Sequence, residues 1–125
     1  MIIDDSEIDI FIATHHIRSN NAAAQIKTFN SSLEAIEYFR EIKDEKDIAC
    51  SFIPEIILLD INMPHMNGFQ FLDEFYKFKT FSSVKICFVS STRNKEDMER
   101  IKRHEHCTFI PKPLSRELLL KHLDE

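Results

Sequence analysis

Five polar side chains fall directly after, or close behind, short apolar runs. Asp4 and Asp5 follow Ile2-Ile3, Asp60 follows Glu55-Ile-Ile-Leu-Leu59, Ser90 follows Val84-Lys-Ile-Cys-Phe-Val89, and Lys112 follows Cys107-Thr-Phe-Ile110. If the runs are strands of one parallel sheet, all five residues lie at carboxyl ends, where open α/β sheets form the crevice that binds ligands. Three carboxylates gathered there repel one another and hold each other's pKa values up unless a cation neutralises them. The set therefore predicts a divalent metal, and oxygen ligands without His or Cys favour Mg²⁺ or Mn²⁺. A carboxylate beside such an ion, flanked by a hydroxyl and an ammonium, has what aspartyl-phosphate chemistry requires. Asp60 is the candidate nucleophile, Lys112 and the metal neutralise the phosphoryl oxygens, and Ser90 donates a hydrogen bond to one of them.

The elements that must position these groups follow from periodicity. Short apolar runs alternate with amphipathic segments, the pattern of βαβ units and a parallel sheet. The runs at 55–59 and 84–89 are nearly unbroken, as strands covered on both faces should be. Ala24-Gln-Ile-Lys-Thr-Phe29 and Cys107–Ile110 are more polar and suit places nearer an edge, while Ile2-Ile3 is a strand stub. Ser6 is expected to cap a helix with Ile8, Phe11 and Ile12 on one stripe, and Ser31-x-x-Glu34 reads as a capping box before Ile36 and Phe39. A helix after Gly68 places Phe71, Leu72, Phe75 and Phe78 on its apolar face, and Ser115 caps a last helix carrying Leu118, Leu119 and Leu123. Between Asn94 and Arg103 only Met98 and Ile101 interrupt a charged sequence, so that helix is expected to pack loosely or face a partner. The charged stretch from Lys43 to Phe52 reads as an extended loop or frayed helix end.

With 125 residues, 43% of them hydrophobic and 30% charged, the chain has the make-up of one ordinary domain with a real core. A net charge of -5 has the wrong sign for a surface that grips nucleic acid, so direct DNA binding is not expected. No apolar run approaches the ~20 residues of a membrane span, and the first residues lack the pattern of a signal peptide. A cytoplasmic protein without membrane insertion is expected. Cys50, Cys87 and Cys107 lack a CxxC pair and read as reduced thiols without a catalytic role.

The sequence resembles the receiver domain of bacterial two-component response regulators, including single-domain chemotaxis regulators. The carriers are Asp4-Asp5, the segment Leu58-Leu59-Asp60-Ile61-Asn62-Met63-Pro64 with Gly68 beyond, Val89-Ser90-Ser91, and Phe109-Ile110-Pro111-Lys112-Pro113. Each motif alone is weak, but four in order across almost the whole chain are specific. The resemblance implies a flavodoxin-like three-layer α/β sandwich, with five parallel strands in order 2-1-3-4-5 and five helices. It implies a single receiver domain over residues 1–125 with no effector domain. Asp60 would accept a phosphoryl group from a histidine kinase or histidine phosphotransfer protein. Asp5, Asp60 and the backbone carbonyl of Asn62 would bind Mg²⁺, with Asp4 acting through water. Ser90 and Phe109 would form the switch, and the face of the fourth helix, fifth strand and fifth helix would meet a downstream protein. Asn62 and Thr92 would tune dephosphorylation, and Lys112-Pro113 would be a cis peptide. A homodimer formed on phosphorylation is compatible with the pattern. Departures are a first strand shorter than usual, which points to a start upstream of Met1, a longer stretch from Ile42 to Phe52, and Phe109 where Tyr is commoner.

Blander readings compete at each position. Asp4-Asp5 is also what a helix N-terminus attracts, Asp60 taken alone could be a turn residue, and Ser90-Ser91-Thr92 could be turn chemistry. His104-Glu105-His106 does not share a helix face and reads as surface charge; His15-His16 reads likewise, since a phosphotransfer helix bundle would lack the strand runs. The segment from Phe69 to Phe81 reads as core. A small phosphatase of the haloacid-dehalogenase type also uses an aspartyl nucleophile after a strand, but needs an acid two residues later where this chain has Asn62. A degenerate receiver acting as a phosphorylation-independent scaffold is the remaining alternative.

Overall fold

The computed structural model describes residues 1–44 and 51–123. Five strands, β1 (Ile2–Ile3), β2 (Thr28–Phe29), β3 (Ile56–Leu59), β4 (Lys85–Ser90) and β5 (Cys107–Pro111), alternate with five helices, α1 (Glu7–Asn20), α2 (Ser32–Ile42), α3 (Gly68–Phe75), α4 (Lys95–Lys102) and α5 (Arg116–Leu123). The strands form one parallel sheet in the order β2-β1-β3-β4-β5. The expected order and layering are therefore observed.

Alternate residues of the central strands feed two separate cores, as the two-residue period of a strand dictates. Ile57, Leu59, Ile86 and Phe88 point to the side of α2 and α3, where Phe39, Phe71, Phe75 and Phe81 are buried. The ring of Phe39 lies 4.9 Å from both Phe75 and Phe81. Leu58, Cys87 and Val89 point the other way, toward Ala13 of α1 and Leu119 of α5. The segment from Phe69 to Phe81 is core, as its composition predicts.

Several local expectations are corrected. The apolar stripe of α1 is turned: Ile8 and Phe11 are 73% and 71% exposed, while Ile10, Ala13 and Ile17 face the sheet. Ser6 does cap this helix, accepting from the Asp9 N–H at 3.3 Å. Ser31 occupies the N-cap of α2 without a side-chain cap bond, so the capping box is not formed there. The complete box lies instead at α3, between Asn67 and Gln70. β2 is confined to two residues of the expected six; from the segment before it the Lys27 carbonyl meets the ladder, accepting from the Ile2 N–H at 2.9 Å. In α5 only Leu119 is fully buried and Leu118 is 38% exposed, and Phe78 lies beyond the end of α3. Most of the 43–52 stretch, including Cys50, lies outside the described residues. The helix rich in charge, α4, buries a single residue, Ile101.

Candidate functional site

Backbone hydrogen bonds run past the formal strand ends and hold the predicted site residues in register. The Asp4 N–H donates to the Phe29 carbonyl at 3.1 Å, the Asp60 N–H to Ile3 at 3.0 Å, and the Lys112 N–H to Ser90 at 3.0 Å. The carboxyl edge of the sheet thus fixes four elements of the site against one another before any side chain is considered.

Asp4, Asp5 and Asp60 each bring a carboxylate oxygen within 4.8 Å of the other two. Asp4 and Asp60 are buried, whereas Asp5 is exposed at the mouth. Lys112, on a cis Lys112-Pro113 peptide as expected, directs its Nζ into this group, 3.0 Å from Asp4 Oδ2 and 3.6 Å from Asp60 Oδ1. The Ile61 N–H donates to Asp60 Oδ1 at 2.9 Å and the Ser6 N–H to Asp4 Oδ1 at 2.9 Å. Burial, joined by the negative charge of Asp4, pushes the Asp60 carboxyl up to about 6, against the opposing pull of Lys112. Asp4 is also raised, by burial that outweighs its bonds to Ser6 and Lys112. Burial disfavours the Lys112 charge, but hydrogen bonds to Asp9 and Asp4 more than offset it, and the net effect raises its pKa. A crowded, partly desolvated anionic cluster is the environment in which a hard divalent cation gains most, so the donor set fits a Mg²⁺ site.

Gly68 sets the floor of the site. Its N–H donates to the Ile61 carbonyl at 2.8 Å, and a Cβ there would lie 2.5 Å from the Asp60 carbonyl oxygen and 3.0 Å from Ile61 Cα. Only a residue without a side chain lets α3 start this close to the strand that carries Asp60. His65, in the loop between, takes a positive φ of 68°.

The remaining predicted residues take up more varied positions. Ser90 is fully buried at the end of β4, and its Oγ accepts from the Thr92 N–H at 3.3 Å. The Thr92 hydroxyl donates to Asp97 of α4 at 2.9 Å, which ties this loop to that helix. Asn62 is exposed on the loop after β3. Phe109 is half-buried in β5 and packs against the Phe-rich core. Asp9 was not among the sequence candidates, yet its Oδ2 lies 2.9 Å from Lys112 Nζ. The signal for it is a further acid in the first turn of α1, three residues after the Ser6 cap and close in sequence to Asp4-Asp5.

A family model described as the response regulator receiver domain matches residues 1–124. Protein PilH of Pseudomonas aeruginosa is 25% identical over 121 residues, covering 97% of this chain and 90% of that protein. The sensor histidine kinase CheAY of Helicobacter pylori is 37% identical over 67 residues; the match covers 54% of this chain and 8% of the kinase. Among solved structures, the two-component response regulator of Cytophaga hutchinsonii superposes with a TM-score of 0.80 at 29% identity, covering 99% of this chain and 95% of that one.

Proposed function

Since the chain belongs to the family of response regulator receiver domains, we propose that Asp60 is its phosphoacceptor and that a phosphohistidine on a kinase or phosphotransfer protein is the donor. The observation that carries this reading is the approach of Lys112 to Asp60 beside a three-carboxylate cluster. An oxygen of the Asp60 carboxylate attacks phosphorus, the P–N bond to the donor imidazole breaks, and the imidazole leaves with that electron pair and takes up a proton. Lys112 meets the negative charge that the phosphoryl oxygens bring, and the Ser90 hydroxyl exchanges its bond to Thr92 for one to the phosphoryl group. Asp5 and Asp60, with the Asn62 carbonyl and with Asp4 through water, would hold Mg²⁺, which supplies the charge neutralisation that lets an anionic donor approach.

The output follows from the same groups. A phosphoryl group adds roughly -1.5 to -2 charge and three acceptor oxygens. Drawing Ser90 inward loosens its bond to Thr92, and Thr92 is tied to Asp97, so the change passes to α4; Phe109 lies beside it on β5. The face of α4, β5 and α5 is the proposed surface for a downstream protein. Asn62 and Thr92 stand two residues beyond Asp60 and Ser90, where exchanges should alter the lifetime of the phosphoryl group.

The test is intact mass after incubation with phosphoramidate and Mg²⁺. One added phosphoryl group, absent in Asp60→Asn and with a chelator, is expected. An unmodified native chain under conditions that phosphorylate a control receiver would refute the reading.

A further inference from the structure

Lys112 has three partners, and the shortest distance is to the residue that phosphoacceptor chemistry does not call for. Its Nζ lies 2.9 Å from Asp9 and 3.0 Å from Asp4, but 3.6 Å from Asp60, beyond ordinary hydrogen-bond length. Asp4 and Asp60 belong to the trio whose oxygens converge as a metal site; Asp9 does not. A cation bound there would draw on Asp4 and Asp60 and leave Asp9 as the lysine's remaining counter-ion. Asp9 is also well fixed. It lies in the first turn of α1, and its N–H is bonded to the Ser6 cap. A cavity of about 20 Å³, space for about one water-sized group, adjoins Asp4, Asp9, Asp60 and Lys112 together with core aliphatic side chains.

We propose that Asp9 is a positioning residue that holds Lys112 on the α1 side of the pocket in the unphosphorylated chain and competes with the incoming phosphoryl group for it. The inference rests on the reading of Asp60 as phosphoacceptor. Phosphorylation must then transfer the ammonium from Asp9 to a phosphoryl oxygen, and the strength of the Asp9 bond sets part of the barrier. Both side chains are partly screened, at 35% and 16% exposure, which keeps the bond breakable.

The test is a four-chain cycle of native, Asp9→Asn, Lys112→Gln and the double variant. It is read in the rate of phosphorylation by phosphoramidate at limiting donor with Mg²⁺, and in the urea unfolding midpoint. Asp9→Asn should phosphorylate about two- to fivefold faster than native, the effect of releasing one partly exposed ion pair. The same change in the Lys112→Gln background should give no acceleration, and the two substitutions should be non-additive in urea. Equal or slower phosphorylation of Asp9→Asn would overturn the inference. So would an equal acceleration without the lysine, which would mark a general charge effect, or strict additivity in urea. A native chain that takes no phosphoryl group would instead refute the assignment of Asp60, and this inference with it.

Discussion

Asp60→Asn is expected to stabilise the metal-free protein at neutral pH. The folded environment raises the Asp60 carboxyl from 3.8 to about 6, with burial first and Asp4 second among the causes. An acid whose folded pKa lies above its unfolded one binds its proton more tightly when folded, so stability falls as pH rises through the window from 3.8 to 6 and the full penalty is present above it. Two units at about 1.4 kcal/mol each give a cost of about 3 kcal/mol for carrying this charge in the fold. That shift already includes the favourable pull of Lys112, so losing that attraction is not counted again. Asparagine keeps an oxygen for the Ile61 N–H, which now donates to Oδ1 at 2.9 Å. With relaxation around the site, a gain of about 1.5–3 kcal/mol should be measured by urea unfolding in a chelator near pH 7.5, shrinking toward zero near pH 4. Saturating Mg²⁺ should narrow or reverse the gap, because binding stabilises the native chain more than the variant with one ligand fewer. The reasoning is refuted if the variant is no more stable than the native chain in chelator at neutral pH, or if its advantage is independent of pH.

Gly68→Ala should destabilise the fold by about 1–3 kcal/mol or more, since the added carbon meets backbone at 2.5 and 3.0 Å; thermal unfolding measures this, and an unchanged midpoint would contradict the packing described. Phe39→Ala should cost about 3–5 kcal/mol in urea, because the ring is fully buried between Phe75 and Phe81. Asp5→Asn, at an exposed position, should change metal-free stability by no more than about 0.5 kcal/mol. It should nevertheless sharply weaken the rise in unfolding temperature that Mg²⁺ gives the native chain; an undiminished rise would remove Asp5 from the metal site.

The parts of this molecule legible in its sequence are those where one requirement acts alone. β3 and β4 are covered on both faces, so their apolar runs could hardly be anything else, and Asp60 and Ser90 at their ends mark the carboxyl edge. α1 is different because apolar residues occur on more than one side. Ile8, Phe11 and Ile12 make as good a stripe as Ile10, Ala13 and Ile17, and only the fit of the helix to the sheet selects the second. The cap of α2 failed for a similar reason: Ser31 has the right residue type, but its side chain makes no cap bond. Asp9 stayed hidden because its partner is 103 residues away, and an acid in a first turn already has an ordinary explanation in the helix dipole. Gly68 was noticed as spacing, whereas its role is the room it leaves for the Asp60 backbone.

The three helices on the Phe-rich face of the sheet differ in how firmly they are seated. α2 and α3 share a block of interlocked rings, and displacing either would break many contacts at once. α4 is attached by one buried isoleucine, by Arg100 lying 4.3 Å over the Phe69 ring and 3.8 Å from Asp73, and by the Thr92–Asp97 bond. Burial of a single aliphatic side chain is worth only about 1.5–3 kcal/mol. Amide hydrogens of α4 should therefore exchange through small local openings, long before those of α2, which open only when the whole domain does. The fold thus contains a graded mechanical contrast. A rigid aromatic block holds α2 and α3, and the thinly anchored α4 on the same face is expected to be the helix that yields first to a local perturbation.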